Sequence, residues 1–196
     1  HYKAAEFYAP VLLSAHIDEY SAVFNISNET RKTFEGRAEI GIYDKDFTEV
    51  YSRSVDVTVS ALSSEDVSVL DAEKYVRGNE QTRFVRYALY ASDGTLISEK
   101  SEIFTKPKYF DYSVPHISVN SEQNGENISI TVSADTYVSG LEIDLKSADA
   151  VFDRNFFDIL SPSPVTVSGT CSGNFKSDDI ILRCVNNIGR KRECER

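Results

Sequence analysis

Carboxylates are the commonest reactive groups in this sequence, with 31 Asp and Glu among 196 residues. Two carboxyls can hydrolyse a glycosidic bond when they flank it about 5 to 10 Å apart, but a count of acids does not show such placement. Asn28-Glu29 and Asn79-Glu80 both fall in polar stretches between strand-like runs, where solvated turns are expected. Ser14, His16 and Asp18 supply the residue types of a hydrolytic triad. Alternation along an extended segment sets all three on one exposed side, and no Gly-x-Ser-x-Gly elbow accompanies them. The nine glycines form neither a dinucleotide fingerprint nor a phosphate loop. Asp44-Lys45-Asp46 and Asp178-Asp179 lack the spaced ligands and terminal Glu of a calcium loop.

Cys171, Cys184 and Cys194 are spaced like no zinc site, and His1, His16 and His116 are far apart. No metal and no cofactor is therefore expected. Cys171 and Cys184 could face each other across paired strands, but free buried thiols in a reducing compartment are the preferred reading. The sequons at Asn25, Asn28 and Asn127 are short enough to arise by chance in a chain rich in Ser and Thr. Aromatics are more informative, at 11 Tyr and 11 Phe. A flat exposed ring can carry a pyranose, and Tyr109-Phe110-Asp111-Tyr112 is the dense cluster. Tyr109, Phe110 and Tyr112 are the candidate sugar-stacking residues. The competing reading is that these rings fill the joint between two domains.

The elements that must position these groups are strands. Ala22, Phe24 and Ile26 alternate with polar neighbours, as do Ala38, Ile40 and Ile42, and Val55, Val57 and Val59. Ile128, Ile130 and Val132, then Leu141, Ile143 and Leu145, repeat the pattern. Period two is the signature of half-buried strands. Asp93-Gly94 between two such runs predicts a hairpin with a primed turn, because Gly tolerates positive φ. In Phe152-Asp153-Arg154-Asn155-Phe156-Phe157-Asp158 the rings are expected to be buried and the acids to cap turns. Residues 1–9 read as the end of a helix that stops at Ala9-Pro10. The alternation breaks around Thr105-Lys106-Pro107-Lys108. The expected architecture is thus all-β: a helical stub (1–9) and two antiparallel β-sandwiches, 10–107 and 108–196.

Charge narrows the function. Twenty-one Lys and Arg against 31 acids leave a formal −10, which argues against a nucleic-acid binder and against an electrostatic membrane anchor. No apolar run approaches the roughly 20 residues of a membrane-spanning helix. The absence of any Met fits an excised piece of a longer chain.

Several stretches, taken in order, resemble the C-terminal region of glycoside hydrolase family 2 β-mannosidases. The segment His1 to Leu13 resembles the exit of their catalytic barrel, where the last helix runs into an aromatic-Ala-Pro-hydrophobic stretch. Asp93-Gly94-Thr95-Leu96-Ile97-Ser98 with Phe104-Thr105-Lys106-Pro107-Lys108 resembles the closing hairpin of their fourth domain. Phe152 to Leu160 resembles the Asp-Asn-Tyr-Phe-Asp-type segment of their last domain, with Arg154 intervening and Ser161-Pro162-Ser163-Pro164 in place of Pro-Gly-Glu. Exo-β-glucosaminidases of the same family share such terminal domains.

The resemblance implies two immunoglobulin-like sandwiches without catalytic residues. Their partner would be the catalytic barrel of the same polypeptide, and an oligosaccharide at its pocket rim is a further candidate partner. The parent enzyme would remove terminal β-linked mannose from non-reducing ends by a retaining mechanism. A free-standing carbohydrate-binding or adhesive module is the rival reading. The expected location is cytoplasmic, with secretion left open. Tyr2, Phe7 and Tyr8 would pack on the barrel and, without it, fray, dock on the first sandwich or lie against a neighbouring molecule.

Overall fold

The computed structural model describes Tyr2 and residues 9–188. These divide into two compact units, one ending at Asp111 and one starting at Tyr112. The division falls after Pro107 for a local reason. Pro107–Tyr109 forms a 3₁₀ turn, after which the Asp111 N–H donates to the Gln81 carbonyl at 2.7 Å. Lys45 Nζ adds bonds to the carboxylate and, at 3.0 Å, to the carbonyl of Asp111. The segment after Pro107 therefore belongs to the first unit. Most of the expected helical stub lies outside the described residues.

The alternating runs of the first unit are strands. They are β1 (Val11–Asp18), β2 (Ser21–Asn28), β3 (Phe34–Asp44), β4 (Glu49–Val59), β5 (Ser63–Asp71), β6 (Arg83–Ala91) and β7 (Leu96–Ile103). Every pairing is antiparallel, in sheets ordered β1-β2-β5 and β4-β3-β6-β7. Ala22, Phe24 and Ile26 of β2 and Ala38, Ile40 and Ile42 of β3 point into one core with Val85, Tyr87 and Leu89 of β6. Antibody domains join their second and sixth sandwich strands by a disulfide. Here β2 and β6 meet instead through Phe24 and Tyr87, edge to face with centroids 5.5 Å apart.

Two local features depart from expectation. The β6–β7 turn closes with Gly94 N–H donating to the Ala91 carbonyl, so Ser92 and Asp93 are its central residues. Only Gly94 takes positive φ, +86°. The turn is the ordinary type followed by a glycine bulge, not a primed turn. Asn28, expected in a solvated turn, is buried. Its amide donates to the carbonyls of Lys32, Val59 and Ser60, and its oxygen accepts from Thr30. A polar group taken from water needs such partners, and they make Asn28 a staple of the fold.

The second unit contains β8 (Ile117–Asn124), β9 (Asn127–Ala134), β10 (Val138–Leu145), β11 (Ala150–Phe152), β12 (Phe157–Ile159), β13 (Val165–Cys171) and β14 (Ile180–Arg183). Its antiparallel sheets run β11-β13-β9-β8 and β12-β10-β14. Ile130, Leu141, Ile143, Phe157 and Ile159 fill its core.

Strand β10 is irregular, with a register shift between Val138 and Leu141 and Gly140 at φ +61°. Side chains complete its ladder. Ser139 N–H donates to Asn186 Oδ1 at 3.0 Å and Gly140 N–H to Asp158 Oδ1 at 2.8 Å. Asn155 accepts from Ile143 N–H and donates to the Ile143 carbonyl, each at 2.8 Å. Cys171 and Cys184 are buried free thiols, and burial pushes the Cys184 thiol up. Cys194 lies outside the described residues.

Candidate functional site

The outer face of the four-stranded sheet in the first unit holds a concave site built by cross-strand register. Gly41 of β3 is paired with Ser52 of β4 on one side and Arg86 of β6 on the other. Glu39 is flanked in the same way by Ser54 and Ala88. All six lie on the face opposite the core. Together with Tyr43, Glu49 and Arg53 they border a cavity of about 280 Å³.

Gly41 makes the floor. A Cβ there would lie 2.6 Å from a Tyr43 ring carbon and 2.9 Å from its hydroxyl. The missing side chain lets the Tyr43 ring lie along the strand. That ring also stacks on Phe84, centroids 5.9 Å apart and planes 28° apart. Burial pushes the Tyr43 phenol above its usual value, so it stays protonated and able to donate.

The charges are fixed by neighbours. Arg86 Nε donates to Glu99 Oε1 at 2.7 Å, and Arg37 pairs with Glu39 at 3.0 Å. Burial works against the Arg86 charge, but the Glu99 carboxylate outweighs it and raises the pKa above that of an ordinary arginine. Glu49 accepts from Ser52 Oγ at 2.6 Å and from the Tyr43 hydroxyl at 3.4 Å. Arg53 spans to β5, bonding Ser68 Oγ and, at 2.8 Å, the Val69 carbonyl. The result is a small void ringed by carboxylate acceptors, hydroxyls and a clamped guanidinium.

The three rings suggested by the sequence occupy three different environments. Tyr109 is 54% exposed with Lys108 Nζ 4.7 Å from its ring centre. Phe110 is 5% exposed, so its face is closed to a ligand, contrary to its candidacy as a stacking residue. Tyr112 is half-buried and stacks on Tyr137 with centroids 6.4 Å apart. The sequence reading did not single out Arg86, Tyr43 or Glu49. The usable signal was the outward set of the β3 alternation, Arg37, Glu39 and Gly41, which only pairing joins to β4 and β6.

The other candidate groups are dispersed over strands and turns. Ser14 bonds the Asn25 carbonyl at 3.4 Å, while His16 and Asp18 are exposed on the same strand. Asp44 pairs with Arg83, and Asp46 accepts from Thr48 N–H at 3.0 Å. Asp153 and Asp158 accept backbone N–H groups, from Ser168 and Gly140. Phe156 breaks the expectation of burial, being 42% exposed at φ +57°. Tyr2 packs on this loop in the second unit. Its ring centre is 6.4 Å from that of Phe156, and its oxygen accepts from Phe152 N–H at 3.3 Å. Phe7 and Tyr8 lie outside the described residues.

Residues 22–109 match the family model of the Mannosidase Ig/CBM-like domain, and residues 112–182 match that of an Ig-fold domain. The chain is a tandem of mannosidase-type immunoglobulin-fold domains. This agrees with the resemblance that its sequence carries. No curated protein sequence matches the tandem. A β-D-mannosidase from Dictyoglomus thermophilum superposes on it with a TM-score of 0.77 at 15% identity, covering 94% of this chain and 23% of the enzyme. An exo-chitosanase from Amycolatopsis orientalis does so with a TM-score of 0.63 at 14% identity, covering 94% of this chain and 26% of that one. At such identities the likeness is one of fold. The tandem spans about a quarter of the length of either enzyme.

Proposed function

We propose that the tandem is a non-catalytic accessory part of a β-mannosidase-like glycoside hydrolase, working beside a catalytic barrel on the same polypeptide. The observation that carries this reading is the order of the two matched domains, mannosidase-type first and Ig-fold second, across residues 22–182. The parent reaction would be retaining removal of terminal β-linked mannose. That chemistry needs two carboxyls about 5 to 5.5 Å apart across the scissile bond, one of them free to deliver a proton. The acids around the cavity are otherwise engaged: Glu39 with Arg37, Glu99 with Arg86 and Glu49 with Ser52. The buried free thiols of Cys171 and Cys184 suit a reducing, cytoplasmic setting.

The test is to read the coding sequence upstream of His1 and to assay the whole frame beside the 196-residue chain on p-nitrophenyl β-mannoside. The whole frame is expected to turn over the substrate with retention, and the tandem alone to be inert. Turnover by the tandem alone, or an upstream sequence without a barrel and its two catalytic Glu, would overturn the reading. An exo-β-glucosaminidase parent is the second reading, favoured by the exo-chitosanase match. Preference of the whole frame for p-nitrophenyl β-glucosaminide would establish it.

A further inference from the structure

We infer that the cavity over Gly41 in the first sandwich binds a single neutral hexopyranose ring. Its size admits no more than one ring: about 280 Å³ lies just below the ~300–1,000 Å³ typical of small-molecule sites. Its charges are largely matched before a ligand arrives, Glu39 by Arg37 and Arg86 by Glu99, which fits a neutral ligand. Glu49 already accepts from the hydroxyls of Ser52 and Tyr43, as it would from those of a sugar. Its hydrogen-bonding groups fit vicinal hydroxyls. Glu49 keeps lone pairs beyond those used by Ser52 and Tyr43 to accept from a diol, Arg86 keeps N–H groups beyond those on Glu99 to donate to one, and charged partners make such bonds about twice as strong as neutral ones.

The site is also pre-organised. Arg86 sits in the central strand β6, tied to Glu99, and Tyr43 is held against Phe84. Little side-chain freedom remains to be lost on binding. Gly41 supplies the depth, because any Cβ there would displace the Tyr43 ring. The site differs from the Tyr109 region, where the candidate is a single exposed ring. It rests on the accessory-domain reading only for the choice of a mannoside as probe.

The test is an NMR shift titration of the isotope-labelled 196-residue chain with methyl β-D-mannopyranoside, with methyl β-D-glucosaminide as the cationic comparison. Saturating shifts are expected at Gly41, Ser52 and Arg86, with a Kd on the order of 1 mM, the range of one ring held by a few hydrogen bonds. Glu49→Ala, at an exposed position, is expected to weaken binding about tenfold, and Tyr109→Ala to leave it unchanged. Unchanged melting of both variants would show that they fold. Absence of saturation, tighter binding of the glucosaminide, or sensitivity to Tyr109→Ala in place of Glu49→Ala would each overturn the inference. An upstream sequence without a barrel would sink the accessory reading and leave these shifts as they are, so the two failures are distinguishable.

Discussion

The two sandwiches solve the same problem by different means. In the first, β3 pairs residue for residue with β4 from Phe34 to Ile42 and with β6 from Gly36 to Asp44. Backbone meets backbone, and side chains are left over for the outer face. In the second, the corresponding central strand β10 meets only short partners, and Asn155, Asp158 and Asn186 stand in for missing strand residues. A long ladder frees side chains for a site, whereas a broken ladder spends them on the backbone. The open cavity accordingly lies on the regular sheet.

This contrast predicts where each unit breaks. Phe24→Ala removes the fully buried ring that joins the sheets of the first unit. A loss of about 3 to 5 kcal/mol is expected, as for other buried phenylalanines. Amide exchange in the intact chain should accelerate across β2 and β6, and amides of the second unit should report no comparable change. Asn155→Leu should be next, at about 3 kcal/mol, because it leaves the N–H and carbonyl of Ile143 buried without partners. Its effect should centre on β10 and β12. Equal acceleration in the first unit would contradict the assignment of Asn155 to one local ladder.

What was legible in the sequence follows the same line. β2, β3 and β9 are long enough to show period two, and each residue faces either core or solvent. β11 and β12 have three residues apiece, too few for a period to show. Asn155 and Asn186 are indistinguishable by type from turn residues, although both are buried. Phe156 sits in an aromatic run and looks like core, but its left-handed backbone turns it outward. The cavity was hidden for another reason. Gly41, Ser52 and Arg86 are neighbours only through register, which a linear pattern does not contain.

Two glycines sharpen the comparison further. At Gly169 in β13 an added Cβ would lie 2.4 Å from the Val151 carbonyl oxygen and 3.0 Å from Phe152 Cα. Both are backbone atoms, so strand β11 itself must move. Gly169→Ala should cost about 1 to 3 kcal/mol, the usual range for overpacking. At Gly41 the obstacle is the Tyr43 side chain, so the ring must give up its stacking on Phe84 but no strand need move. Gly41→Ala should cost less than Gly169→Ala, about 1 kcal/mol, measured by denaturant midpoint, while the NMR ring resonances of Tyr43 report the displaced ring. Equal costs at the two positions would show that the first sheet is no freer to rearrange than the second.

The smallest effect is expected from acid. In the first unit Asp46 and Asp93 accept N–H groups of Thr48 and Thr95, and Glu80 accepts from Tyr20 at 2.5 Å, which holds all three below their ordinary pKa. In the second, Asp179 is lowered by the N–H of Lys176 and the hydroxyl of Ser147. A carboxylate with a depressed folded pKa stabilises fully above its unfolded value, about pH 4, and loses that contribution as pH falls through the folded one. The contributions should therefore be complete at neutral pH and fade only below about pH 4. The affected turns of the first unit, at 44–48 and 91–95, should open before the β-strands do. Exchange measured in that acid window should rise at Thr48 and Thr95, and Asp93→Asn should remove the pH dependence at Thr95 while leaving that at Thr48. If Thr95 kept its pH response in that variant, the Asp93 carboxylate would not be the group that titrates there.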